Sequence, residues 1–513
     1  MIHPKWTRPF ASFGTRATRA RPLSEWQSVI GIEVHAQIKS RKKLFSDSFT
    51  DLDASPSVLP GDRVSIFDAA FPGCLPHFNN KCLDLAIRTS LALGSDVQQR
   101  SSFDRKHYFY PDLPSGYQIT QKYSPIARGG SLQLLGYDGK LDTAKSTTPA
   151  HSEVTRVDLS RAGVPLMEIV SEPDMRSPEE AAAYVRSLQA LLRAVGSSDG
   201  NMELGSMRCD VNISLNRPGE PFGTRCEIKN LNTIRGLVVA LTEIESDAEI
   251  ERHKNLLDQG LPVLQETRGF NEDTAETFRL RSKEGAPDYR YMPDPNLPPL
   301  VIEQEYIERI RAHMPTLPTQ TRERLVSTYK LSSRDVDVLM GIDAGADVGF
   351  DGEEPSRLGA VAYFESVVRG GRDPKIVANW LLHELIGQLS FRSQTFADNP
   401  LTPERLGELV DAVESHVITG TSGKLLMRHL IETRSNLPLS QIIESLGLRA
   451  ASSTSELTAL CRTAISMLPK ESELVAQGND RVLMKVVGQV MRLSKGTADA
   501  QAAREELLRQ LRK

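Results

Sequence analysis

The sequence predicts an α+β protein: a largely antiparallel sheet with flanking helices, followed by all-helical domains. The sheet is read from VIGIEVHAQIK, starting at Val29, and from the pair SMRCDVNISL and TRCEIKNLN, where apolar and polar residues alternate with the period of a strand. The helical part is read from Ile302 onward, where the pattern turns to amphipathic segments with polar ends.

Residues 1–27 stand apart. Lys5, Arg8, Arg16, Arg19 and Arg21 lie among hydroxyl residues ahead of the first acid, Glu25, and the apolar stretch of a secretory signal is missing. This composition is that of an organellar transit segment and predicts import into the mitochondrial matrix; the bland alternative is a basic, disordered arm. Next comes the first strand, with Ile30, Ile32, Val34 and Ala36 on one face and Glu33 and His35 on the other. These two polar side chains lie roughly 7 Å apart along the strand and point the same way, a spacing that two ligands of one ion share. Simple solvation of an exposed face is the other reading.

VPLMEIV is apolar on both strand faces except at Glu168, which predicts a carboxylate in surroundings where an unpaired charge costs several kcal/mol. It calls for a cation or a proton, supplied by a metal or by an Arg or Lys partner. A helix follows, with Ser177 as N-cap, Pro178 in its first turn, Glu180 completing a capping box and Gly196 as its stop. SMRCDVNISL and TRCEIKNLN then form a hairpin with one dry face. Its other face presents Arg208, Asp210, Arg225, Glu227 and Lys229, a row suited to gripping phosphates and a metal or to cross-strand ion pairs. Thr233–Leu257 reads as a long helix, and GAPDYRYMPDPNLPPL as an irregular segment laid against a surface. Helices resume over 301–355, a connector ending in the acidic GIDAGADVGFDGEEPS as candidate linker, and 356–513 is all-helical.

The length of 513 residues allows several cores, and a net charge of -4 gives no global pull toward nucleic acid, so any RNA binding must come from local patches or from a partner. No apolar run reaches the ~20 residues that span a bilayer. Five cysteines without CxxC spacing argue against a disulfide framework or a thiolate zinc site. P-loop and Rossmann signatures are absent, and HELIGQ lacks the second His of a zinc-protease helix.

GIEVHAQIKSRKKLFS, PGCLPHFN, FDRKHYFYPDLPSGYQITQ, GVPLMEIVSEPDMRSPEEA, SMRCDVNIS, CEIKNLN and DYRYMPDPNLPPL occur in one order. Together they strongly resemble the B subunits of glutamyl-tRNA(Gln) amidotransferases, over nearly the whole chain after the leader, which points to the mitochondrial form. The resemblance implies a cradle-like catalytic domain over 28–300 and tRNA-holding helical and tail domains. It implies an ATP-dependent carbon–nitrogen ligase acting on Glu-tRNA(Gln) through a γ-phosphoryl-glutamyl intermediate. Ammonia would come from an amidase-type glutaminase partner, with a small third subunit in the complex.

By the same resemblance, Glu33 and Glu168 are oxygen ligands for Mg²⁺, with His35 acting directly or through water, and these three residues are the catalytic set. Arg208 and Lys229 are implied as clamps on ATP phosphates. Arg105, Lys106, Tyr108 and Tyr110 would receive the acceptor end of tRNA, since bases stack on rings and phosphates seek cations; buried core rings are the alternative.

Two departures from the family stand out. Bacterial relatives carry four zinc-binding cysteines where this chain has Ser46, Ser48, Ser65 and Asp68, so no zinc is expected. Lys140 and Leu141 stand where the resemblance implies paired glutamates, so that one metal ligand is missing unless Asp142 substitutes, the local correspondence is shifted, or the gene model has lost a short piece. That change leaves a second reading open, a tRNA-binding scaffold without the kinase step. A stand-alone ligase is disfavoured, because no nucleophilic cysteine or amidase serine cluster is present to make ammonia.

Overall fold

The structure, a computed structural model, describes residues 27–50, 60–110, 113–132, 134, 159–217, 219–231, 233–245, 259, 266–271, 276–282, 288–343, 348–353, 358–450, 454–479, 481–494 and 496–512. The leader therefore lies outside the described residues. The chain forms two units: one runs to Pro315 and includes Val348–Glu353, and the other holds the remainder from Thr316.

In the first unit the strands are β1 (Gln27–Gln37), β2 (Asp96–Val97), β3 (Arg100–Ser101), β4 (Asp104–His107), β5 (Tyr117–Thr120), β6 (Ala127–Arg128), β7 (Leu166–Val170), β8 (Met207–Asn216), β9 (Cys226–Leu231), β10 (Glu266–Asn271), β11 (Glu276–Ser282), β12 (Met292–Pro293) and β13 (Leu300–Val301). The helices are α1 (Asn80–Ala92), α2 (Pro178–Ala194), α3 (Ile234–Glu245) and α4 (Gln304–Ala312). The main sheet has the order β11-β10-β9-β8-β1-β7 and is antiparallel except where β9 meets β10. The fold is thus α+β.

Alternation decides which face is dry. Ile30, Ile32, Val34 and Ala36 lie opposite Ile213, Val211, Cys209 and Met207, and all are buried beneath Tyr184, Leu188 and Leu192 of α2 and Leu237 and Leu241 of α3. As the cap residues predict, the Ser177 side chain accepts from the Glu180 amide and Gly196 takes the positive φ of 71° that ends α2, whereas Glu180 reaches back to the Arg176 amide, one residue beyond the N-cap amide that a capping box closes on. Of the long helix expected from Thr233, α3 is described and residues 246–258 are not.

The setting of Glu168 differs from expectation. Among the described residues β7 is an edge strand paired only with β1, so Met167 and Ile169 turn to the dry face while Glu168 and Val170 turn to the open one; the Glu168 side chain is 42% exposed and Val170 is 52% exposed. An apolar run on an edge strand covers one face, which sequence alone does not distinguish from burial on two.

The candidate linker is also more than a linker. Asp351 donates its amide to the Lys39 carbonyl and accepts from Ser40, while the Gly352 carbonyl accepts from Arg88, so Val348–Glu353 completes the first unit. The 301–355 connector is accordingly divided. α4 packs Ile307 and Ile310 against Leu83 and Ile87 of α1, whereas helices Pro318–Ser327 and Ser333–Asp343 belong to the second unit.

In the second unit one core gathers Leu325, Phe364, Leu381, Leu406 and Leu426, and another gathers Cys461, Val475, Val486 and Leu507. Trp380–Leu385 forms a π-helix, and a Cβ at Gly423 would stand 2.8 Å from the Trp380 ring, so this helix crossing needs glycine.

Candidate active site on the polar face of the sheet

The face opposite α2 and α3 carries the chemistry. His35 of β1 is in register with Glu168 of β7 on one side and Arg208 of β8 on the other, and Glu33 is in register with Asp210. This cross-strand register, which local sequence does not state, brings Glu33, His35 and Glu168 together: each offers a ligand atom, and these atoms lie within 4.8 Å of one another. His35 Nε2 is 3.7 Å from Glu168 Oε1, and the imidazole is buried.

Burial first, and crowded charge after it, govern the site. Burial, followed by the fields of Asp210, Glu168 and Glu227, pushes the Glu33 carboxyl up to about 8, against a weak opposing hydrogen bond from Asn212. Burial raises Asp210 to about 7 even though Lys229 pulls it down. Lys229, expected on phosphates, is engaged otherwise: its Nζ lies 3.2 Å from Asp210 Oδ2 and 3.0 Å from Glu227 Oε1, and Glu227 also accepts from Thr267. The ion-pair reading of the mixed row describes this lysine. Arg208 is half-buried, and burial together with the field of Arg161 lowers its pKa against the opposing pull of Asp210.

The raised pKa of Glu33 has a measurable sign. Between its ordinary 4.5 and about 8 the folded chain holds a proton that the unfolded chain has lost, so this group's contribution to stability declines as pH rises through that window. In EDTA, Glu33→Gln is expected to flatten the fall of Tm across the window and to melt above the parent at its alkaline end. Parallel curves for the two proteins would place Glu33 at an ordinary pKa.

His35, Glu168, Arg208 and Lys229 line a cavity of about 2060 Å³, which also takes in Lys106, Tyr108 and Tyr110. Lys106 is nearly buried, its ammonium 4.7 Å from the Tyr289 ring centre and 5.6 Å from that of Tyr108. Tyr108 is half-buried and Tyr110 is exposed, the two rings meeting edge-on at 5.6 Å. Arg105 stays out of the cavity wall; its guanidinium is 2.8 Å from Asp294 and lies over Tyr117. Lys140, Leu141 and Asp142 fall outside the described residues.

Sequence reasoning missed Arg161, Tyr289 and Tyr291. β12 pairs with β4, which brings the YRY run beside the basic strand, and burial plus the charge of Glu168 raises Tyr291 to about 12. Alternation of tyrosines with a basic residue was a visible signal; the strand pairing was not.

Comparison with known proteins adds an independent line. Residues 28–308 match the family model described as the GatB/GatE catalytic domain, and residues 362–511 match one described as the GatB domain. The chain is 52% identical to the B subunit of mitochondrial glutamyl-tRNA(Gln) amidotransferase from Laccaria bicolor, covering 94% of this chain and 92% of that protein. It is 44% identical to the protein of the same name in Cryptococcus neoformans, covering 98% and 96%. The B subunit of an aspartyl/glutamyl-tRNA(Asn/Gln) amidotransferase from Rickettsia bellii is 41% identical, covering 93% and 95%.

Proposed function

The chain belongs to the family of glutamyl-tRNA(Gln) amidotransferase B subunits, and from that premise we propose how its cavity serves the reaction. As a member it is one component of the mitochondrial ligase that converts Glu-tRNA(Gln) to Gln-tRNA(Gln). We place it in the matrix, working with an amidase-type glutaminase and a small third subunit. Among the described residues no helix is long and apolar enough to cross a membrane.

A carboxylate resists ammonia until one of its oxygens becomes a leaving group. The γ-carboxylate of the tRNA-linked glutamate therefore attacks the γ-phosphorus of ATP, and ADP departs. Ammonia then adds at the acyl carbon, the bond to the phosphate oxygen breaks, and phosphate and a proton are released.

The observation that carries this reading is the convergence of Glu33, His35 and Glu168, with His35 and Glu168 lining a cavity whose other wall is basic and aromatic. Two carboxylates and an imidazole this close, with Glu33 raised by burial and then by neighbouring carboxylates, fit a divalent cation. Glu33 and Glu168 would hold Mg²⁺, with His35 bound directly or through water, and the ion would screen ATP oxygens during phosphoryl transfer.

The chain's own groups do the rest. Arg208 and Arg161 both face the cavity and sit in each other's field, an arrangement that a phosphate between them relieves. Lys229 stays with Asp210 and Glu227, limiting the negative charge beside Glu33. Tyr108 and Tyr110 offer faces to the terminal bases, and Lys106 a cation to their phosphates, with Arg105 bracing the strand from behind.

The test combines the full chain with its glutaminase partner, Glu-tRNA(Gln), Mg-ATP and glutamine. Gln-tRNA(Gln) formation is the expected product, and a parallel reaction with Asp-tRNA(Asn) defines the substrate range. Binding of tRNA without ATP turnover would reduce the chain to a scaffold.

A further inference from the structure

Ser46, Ser48, Ser65 and Asp68, the positions that the family resemblance aligns with zinc-binding cysteines, do converge, but the serines gather on the Asp68 carboxylate, which is paired with a buried ammonium group. Lys43 is fully buried and donates from Nζ to Asp68 Oδ2 at 3.2 Å, to the Arg63 carbonyl at 2.7 Å and to the Leu159 carbonyl at 3.3 Å. Asp68, also buried, accepts from Ser46 Oγ at 3.0 Å, Ser48 Oγ at 2.7 Å and the Ser65 amide at 2.8 Å. Three hydroxyl residues and one carboxylate are a poor donor set for zinc, which favours thiolate and imidazole, and the lysine already supplies the positive charge. The residues do not fit the metal.

We infer that the Lys43–Asp68 cluster is a metal-free clasp that positions the catalytic strands relative to one another. Its connections support that role. Lys43 lies just after β1, the strand of Glu33 and His35, while Leu159–Gly163 lies just before β7, the strand of Glu168. Lys43 Nζ reaches Leu159, the Leu44 amide donates to the Gly163 carbonyl, and the Ile38 amide donates to the Pro165 carbonyl. The clasp therefore ties the exit of one ligand strand to the entrance of the other and anchors the 60–68 segment to both. A Cβ at Gly163 would stand 3.1 Å from Asp68 Oδ1, so the backbone there is fitted closely to the carboxylate. Lys43 and Asp68 are positioning residues: neither belongs to the ligand set.

The experiment uses the full chain assembled with its glutaminase partner. Metal analysis of the native protein is expected to find no stoichiometric zinc, and a zinc chelator should leave its Tm unchanged. Lys43→Met should lower Tm by several degrees by leaving Asp68 as a buried, uncompensated charge. Adding Asp68→Asn to Lys43→Met removes that charge and should restore most of the Tm. The tie to Leu159 stays broken, so kcat for amidation, corrected for the folded fraction, should remain about 10-fold or more below native, while KM for ATP changes little. A double variant with native kcat would make the cluster a stabilising feature alone and overturn the inference, as would stoichiometric zinc in the native chain. The kinetic arm rests on the function proposed above, whereas zinc content and Tm do not, so failure of the clasp and failure of that function give different results.

Discussion

Glu168→Gln is expected to lower ATP-dependent amidation by about a hundredfold or more while leaving the fold unchanged. Glutamine keeps the size and one carbonyl oxygen of the side chain but removes the negative charge that the cation and the transferring phosphoryl group require. The fold should tolerate the change because the side chain is 42% exposed on an edge strand, and the pairing of β7 with β1 runs through backbone. Gln-tRNA(Gln) formation is the readout, with Tm as control. A variant with full turnover would remove Glu168 from the mechanism, and one with a collapsed Tm would show a structural role instead.

Lys229→Met should act the other way, on stability first. The lysine is the cation placed between Asp210 and Glu227, which are 2% and 8% exposed, and methionine fills much of its volume without its charge. Breaking a buried pair from one side costs about 3–5 kcal/mol, because the abandoned carboxylates stay out of water. Denaturation of the variant should show a loss of this order at alkaline pH and a smaller one at and below neutral pH, because Asp210, already raised to about 7 beside the lysine, takes up a proton there. Adding Asp210→Asn should recover part of it. A single variant as stable as the parent at alkaline pH would mean that Lys229 is not a needed counter-ion and would return it to the groups available for phosphate.

Much of this architecture was legible in the residues. Alternation over Ile30–Ala36 and Cys209–Ile213 stated the dry face of the sheet, and Ser177, Pro178, Glu180 and Gly196 stated both ends of α2. Glu33 and His35 were visible as a pair because two residues on one strand share a face whatever the strand's neighbours are. What local pattern does not contain is strand order. The placement of β7 at an edge opened Glu168 to solvent, and the pairing of β12 with β4 brought Tyr289 and Tyr291 to the site. Lys229 was ambiguous for a similar reason: a basic residue in a mixed row grips a phosphate or a neighbour according to which carboxylates the adjoining strand presents.

The return of Val348–Glu353 to the sheet-bearing unit also bears on how the protein can be dissected. A fragment ending at Pro315 is not a complete module, because it lacks the hexapeptide whose Asp351 closes the turn at Lys39–Ser40 and whose Gly352 meets Arg88. Swapping in a helical tail from a relative must preserve this short inset as well, which makes the two halves inheritable together more readily than apart.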